Sequence, residues 1–113
     1  MASVNDAVTV FDGQSSDATG SAVKLSPIKL GLTTRFDIVV SGDIGSGSFT
    51  LTISHDSTDG TDGTFVSVPT YNQSQIGLIN HIDVSQDLWV KGVLSGSTSP
   101  DLTVKLYRRF YAG

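Results

Sequence analysis

Residues 48–55 read Ser-Phe-Thr-Leu-Thr-Ile-Ser-His, with Phe49, Leu51 and Ile53 alternating against Thr50, Thr52 and Ser54. Successive side chains of an extended strand point to opposite faces, so a period of two buries one row and wets the other. The stretch therefore reads as a half-buried β-strand, and the same rule recurs on either side of it. Phe36, Ile38 and Val40 alternate likewise, and Val39 makes that strand apolar on both faces, which places it mid-sheet or at a contact. Leu102, Val104 and Leu106 alternate against Thr103, Lys105 and Tyr107, and the run continues through Arg108, Arg109 and Phe110 as the last strand.

Weaker runs span 7–11, 22–28, 64–68, 79–84 and 88–94. Together these make about seven or eight strands separated by Gly, Ser, Asp and Pro, the pattern of an antiparallel β-sandwich or a jelly-roll-like barrel. Pro27 and Pro69 are expected at edges or strand ends, because proline cannot donate to a ladder. The polar segment 71–77, YNQSQIG, is expected to be an irregular loop or a short helical turn.

Composition points the same way. All 11 acidic residues are Asp, whereas Val, Ile and Thr supply 31 positions and Ala only five. Asp and Gly favour turns, β-branched side chains fit a pleated surface, and the usual fillers of helix surfaces are missing. The 113 residues are expected to form a single domain spanning 1–113. A net charge of −4 supplies no uniform basic field, so neither nucleic acid nor an anionic membrane is an expected partner. The opening MASVNDAVTV has neither the charged nor the apolar region of a signal peptide, and the chain lacks cysteine. Synthesis in the cytoplasm is the expectation.

Four sets of residues invite a chemical reading. The loop 56–63 carries Asp56, Asp59 and Asp62, but carboxylates three apart, with no Glu, do not match an EF-hand-like calcium loop. A hairpin loop with two Asp-Gly turns accounts for them better, and no metal or cofactor is expected. His55 and His81 have no ligand partners at recognisable spacing, and no Gly-x-Ser-x-Gly elbow accompanies the many serines, so enzyme activity is not expected. Trp89 shares a face with Lys91, and Leu88 and Val90 share the other. A small β core commonly buries its one Trp, which favours an inward Trp89, whereas a sugar-binding module would expose it.

The fourth set is the closing run, where Lys105, Arg108 and Arg109 are three of the seven basic residues and Tyr107, Phe110 and Tyr111 lie among them. Arg and Tyr are the residue types that dominate interfaces. An ordinary last strand, with Arg108 and Arg109 split across its faces, explains the same run equally well.

From about Phe36 to Phe110 the chain resembles the small β-sandwich capsid decoration, or cement, proteins of tailed bacteriophages. The resemblance is carried by Phe49-Thr-Leu51-Thr-Ile53-Ser, the turn Asp62-Gly63-Thr64-Phe65 and Val66-Ser-Val68-Pro69. It continues through Val84-Ser-Gln-Asp87-Leu88-Trp89-Val90 and the closing Leu102-Thr-Val104-Lys105-Leu106. The 56–63 loop is longer than the single Asp-Gly turn of that pattern. The resemblance implies a non-enzymatic virion protein, made in the host cytoplasm, that binds the capsid surface through the major capsid protein or other virion proteins, often as a trimer. The segments 1–12 and 107–111 are then expected to make the intersubunit contacts, with Val8, Val10, Phe11, Tyr107, Arg108, Arg109, Phe110 and Tyr111 as partner-binding residues. The alternatives are a carbohydrate-binding β module, with Tyr71, Trp89 or Tyr107 lining a groove, and a head–tail or tail structural component.

Overall fold

A computed structural model describes residues 6–27, 32–77 and 80–108. The strands are β1 (Asp6–Gln14), β2 (Ala18–Thr19), β3 (Val23–Leu25), β4 (Thr34–Asp43), β5 (Ser48–Ser54), β6 (Val66–Tyr71), β7 (Asn80–Val84), β8 (Leu88–Ser95) and β9 (Asp101–Arg108). One four-stranded sheet has the order β1-β9-β4-β7, and the other has the order β2-β8-β5-β6, with β3 also pairing with β8. Every pairing is antiparallel. The fold is an all-β sandwich.

The inner faces carry the rows that alternation picks out. Phe49, Leu51 and Ile53 of β5 face Ile38 and Val40 of β4 and Leu102, Val104 and Leu106 of β9 in one buried cluster. Phe49 meets Phe11 edge-on, with ring centroids 5.8 Å apart. Burying whole aromatic and branched side chains is the main favourable term in such a core, about 1.5–3 kcal/mol for each.

β2 and β3 act as one broken edge strand. Ala18 and Thr19 pair with Leu94 and Val93, Val23 to Leu25 pair with Val90 to Leu88, and between them Gly20 N–H donates to Gly92 O at 2.8 Å. The opposite edge, β6, carries Pro69 at a bulge, for its pairing shifts between Thr50–Thr70 and Thr52–Ser67. A missing N–H costs least at an edge and a bulge, so the expectation for Pro69 holds. The chain passes between the sheets at two adjacent corners, where Thr98 N–H donates to Ile44 O at 3.1 Å and Ser46 Oγ–H to Gly96 O at 2.8 Å. Gly45 takes φ +73° there, and a Cβ on it would fall 2.4 Å from Thr98 O. The 71–77 segment contains a 3-10 helix at Gln73–Gln75, closed by a capping box in which Asn72 Oδ1 accepts from Ser74 N–H and Gln75 Oε1 from Asn72 N–H.

Candidate partner-binding surface

The residues expected to bind a partner fall on β1 and β9, which the fold places side by side. Asp6 pairs with Arg108, Ala7 with Tyr107 and Val8 with Leu106. Leu106 is fully buried, so Val8 and Arg108 lie on the inward-facing row and Ala7 and Tyr107 on the outward one. Val8, Tyr107 and Arg108 are half-buried. Arg109, Phe110 and Tyr111, with residues 1–5 of the expected N-terminal contact segment, lie outside the described residues.

Val10 and Phe11 lie deeper than the other named residues. Both are buried in the core, although neighbours on a regular strand must point oppositely. The register explains it: Thr9 pairs with Lys105 but Phe11 with Val104, so two residues of β1 oppose one of β9. Such a bulge turns consecutive side chains to one side. Both side chains belong to the core cluster.

Past Val8 the sheets part into an open cleft of about 550 Å³, lined by Val8, Lys24, Leu25, Ser26, Phe36 and Arg108. Apolar Val8, Leu25 and Phe36 share this lining with the polar and cationic Ser26, Lys24 and Arg108. Lys24 Nζ lies 3.3 Å from Asp87 Oδ2. A hydrogen bond from Ser26, and then the Lys24 ammonium, hold the Asp87 carboxyl below the ordinary carboxylate range. The two segments singled out at opposite ends of the sequence thus contribute to one end of the sandwich. Leu25, Phe36 and Lys24 also line the cleft, and each reads locally as an ordinary strand position.

The Asp loop is built on its own carboxylates. Asp62 Oδ1 accepts from Thr58 N–H at 2.7 Å and from Ser57 Oγ–H at 2.8 Å, and its Oδ2 accepts from Thr58 Oγ1–H at 2.5 Å. Asp59 Oδ1 accepts from Thr61 N–H at 2.9 Å, and Asp56 Oδ1 accepts from Thr64 N–H at 2.8 Å and from Ser54 Oγ–H at 2.9 Å. Gly60 and Gly63 take φ +90° and +81°. This is the hairpin loop with two Asp-Gly turns, each carboxylate capping N–H or O–H groups of the loop. Asp17 does the same at a distance, accepting from Gly96 N–H at 2.9 Å and Ser97 N–H at 3.0 Å and from the Ser97 hydroxyl.

Trp89 also differs from expectation. Leu88 and Val90 take the inner face, and Trp89 lies half-buried on the outer face of the second sheet, beneath Gly60 and beside Ala22. On the same face Lys91 Nζ stands 4.1 Å from the centre of the Phe65 ring, a cation–π contact. Tyr71 is a core residue whose hydroxyl accepts from Asn80 Nδ2–H at 2.9 Å, and Tyr107 belongs to the outer face of the other sheet. Of the three aromatic residues of the sugar-groove reading, Tyr71 is therefore in the core, and Trp89 and Tyr107 lie on the outer faces of different sheets. His55 and His81 are exposed and lie at β5 and β7, on different sheets. Among the described residues no three His, Cys, Asp or Glu side chains come together as a metal cluster. Searches of protein-family models, curated proteins and solved structures find no match to this chain.

Proposed function

We propose that the chain is a non-enzymatic structural module that decorates a tailed-bacteriophage capsid, docking on the shell through the β1–β9 end of the sandwich. The observation that carries the reading is the Asp6–Arg108 to Val8–Leu106 pairing. It brings Val8 and Arg108, named from distant parts of the sequence, into the lining of one open cleft of mixed apolar and cationic character, with Tyr107 on the outer face of the same strand pair. Such a combination of an apolar anchor and Arg is what interface centres use. The resemblance of the strand-and-turn pattern to decoration proteins supports a capsid as the partner class. A module of this kind strengthens a shell by linkage: whatever binds the assembled state and not the separated one shifts the balance towards assembly.

The test is cosedimentation of the purified chain with capsid shells stripped of their decoration protein. Saturable pelleting is expected, and R108A or V8D should weaken it at least about tenfold, equivalent to about 1.4 kcal/mol. Wild-type protein that stays in the supernatant over all shell concentrations would overturn the proposal, and so would pelleting unaffected by either substitution.

A further inference from the structure

We propose that a second copy of this chain adds to the first sheet at β7, pairing strand to strand and antiparallel about a twofold axis at Ile82. The inference starts from how the four sheet edges are treated. An uncovered edge offers a row of N–H and C=O groups to any passing strand, and proteins blunt it with bulges, prolines or interruptions. Here β1 carries two register shifts, β6 carries Pro69 at a bulge, and the β2/β3 edge is broken around Gly20. Among the described residues β7 alone has none of these: its five residues pair without a shift, Thr34 with Val84 through Ile38 with Asn80.

The sequence of β7 then selects its partner. Ile82 is half-buried against the core and Val84 is buried, so His81 and Asp83 form the outward row, and both are exposed. In an antiparallel self-pairing that keeps both inner faces on one side, only residues of like parity can oppose. An axis at Ile82 uses all five residues and sets His81 against Asp83 of the second copy, twice. An axis at residue 81 or 83 uses only three and sets His against His or Asp against Asp, which disfavours it.

The neighbouring strand extends the complementarity. Asp37 lies beside His81 and Arg35 beside Asp83 on β4, and Arg35 Nε is 3.0 Å from Asp37 Oδ1. The Ile82 register therefore produces two rows across the joined sheets, Asp37, His81, Asp83, Arg35, in which the last two belong to the second copy. Along each row carboxylates alternate with an imidazole and a guanidinium. Strand addition to an exposed edge is a known route to self-association, and an antiparallel contact between identical strands is isologous and closes as a dimer. β7 and β1 are opposite edges of their sheet, so this contact is separate from the surface proposed to meet the shell.

Because the chain has no cysteine, the register can be read directly. An equimolar mixture of H81C and D83C, oxidised mildly, should give a covalent heterodimer identified by its mass, in excess of the cross-linking that either variant gives by itself. Directly opposed residues meet the Cα separation a disulfide needs, whereas the diagonal pairs available to each variant alone do not. Light scattering on the full-length wild type should show mass rising towards a dimer with concentration. H81D should raise the dissociation constant at least tenfold, while H81K should leave the dimer intact. Both positions are exposed, so unchanged melting midpoints separate a broken contact from a broken fold. A trimer, a monomer at every concentration, cross-linking as efficient in one variant alone as in the mixture, or equal behaviour of H81D and H81K would each overturn the proposal.

Discussion

Gly60 lies directly on the indole of Trp89: a Cβ at residue 60 would come within 2.9 Å of Trp89 Cε3 and of Ala22 Cβ. The loop between β5 and β6 is thus folded down over the outer face of its sheet, with Gly60 at φ +90°. Both the dihedral and the close approach exclude a side chain there. G60A should cost about 1–3 kcal/mol through backbone strain and displacement of the loop. As the chain has one Trp, quenching of its fluorescence reports the loop alone, and it should increase in the variant. An unchanged midpoint with unchanged quenching would show that the loop does not rest on Trp89.

Asp62 should make the protein sensitive to acid. Hydrogen bonds from the Thr58 side chain and backbone, and then from Ser57, hold its carboxyl well below the ordinary range. The folded value is lower than the unfolded value of about 3.9, so the stabilisation is complete above about pH 4–5 and is lost as the pH falls through the folded value. Asp56 and Asp17 are shifted in the same direction, the first chiefly by Thr64 N–H and the second chiefly by the Ser97 hydroxyl. D62N should melt below the wild type at pH 7, and the gap should narrow as the pH drops below about 4. A gap of constant size across that range would contradict the linkage.

Gly92 leaves space that the core has already filled. A Cβ on it would lie 2.6 Å from Phe49 Cε1 and 2.8 Å from Val10 Cγ1, and Phe49 is fully buried. G92A should therefore destabilise by about 1–3 kcal/mol by overpacking. F49L by itself should also destabilise, but the double variant should lose less than the sum, because the shortened side chain makes room for the methyl group. Additive losses in denaturant melts would place the strain elsewhere.

Gln73 joins the 3-10 helix to the first corner between the sheets. Its Oε1 accepts from Ile44 N–H at 2.7 Å and from Gly45 N–H at 3.1 Å, and Ile44 is fully buried. Q73A should cost about 1–3 kcal/mol by leaving a part-buried donor without its acceptor, and should speed hydrogen exchange at Ile44 and Gly45. Exchange rates identical to the wild type would show that the corner does not depend on this side chain.

How far the sequence could be read depended on whether local periodicity decided the outcome. The rows of 48–54, 36–40 and 102–106 each face the core as alternation requires, since any regular strand in a sandwich must put its apolar row inside. Pro69 at an edge and the short helical turn at 73–75 follow equally from local chemistry. Val10 and Phe11 break the alternation because a bulge, visible only once β9 is alongside, turns both inward. Trp89 and Leu88 were indistinguishable as inward candidates from pattern alone, as both faces of β8 carry large apolar side chains.

The sequence by itself determined the strand class, the turn chemistry and most of the core, because these depend on side-chain period and on backbone preferences of single residues. The tertiary structure alone decided which strands lie together. The β1–β9 cleft, the loop over Trp89 and the pairing of β7 with β4 all join residues far apart in the chain, and pairing partners are set by the packing of the whole sandwich rather than by any local stretch.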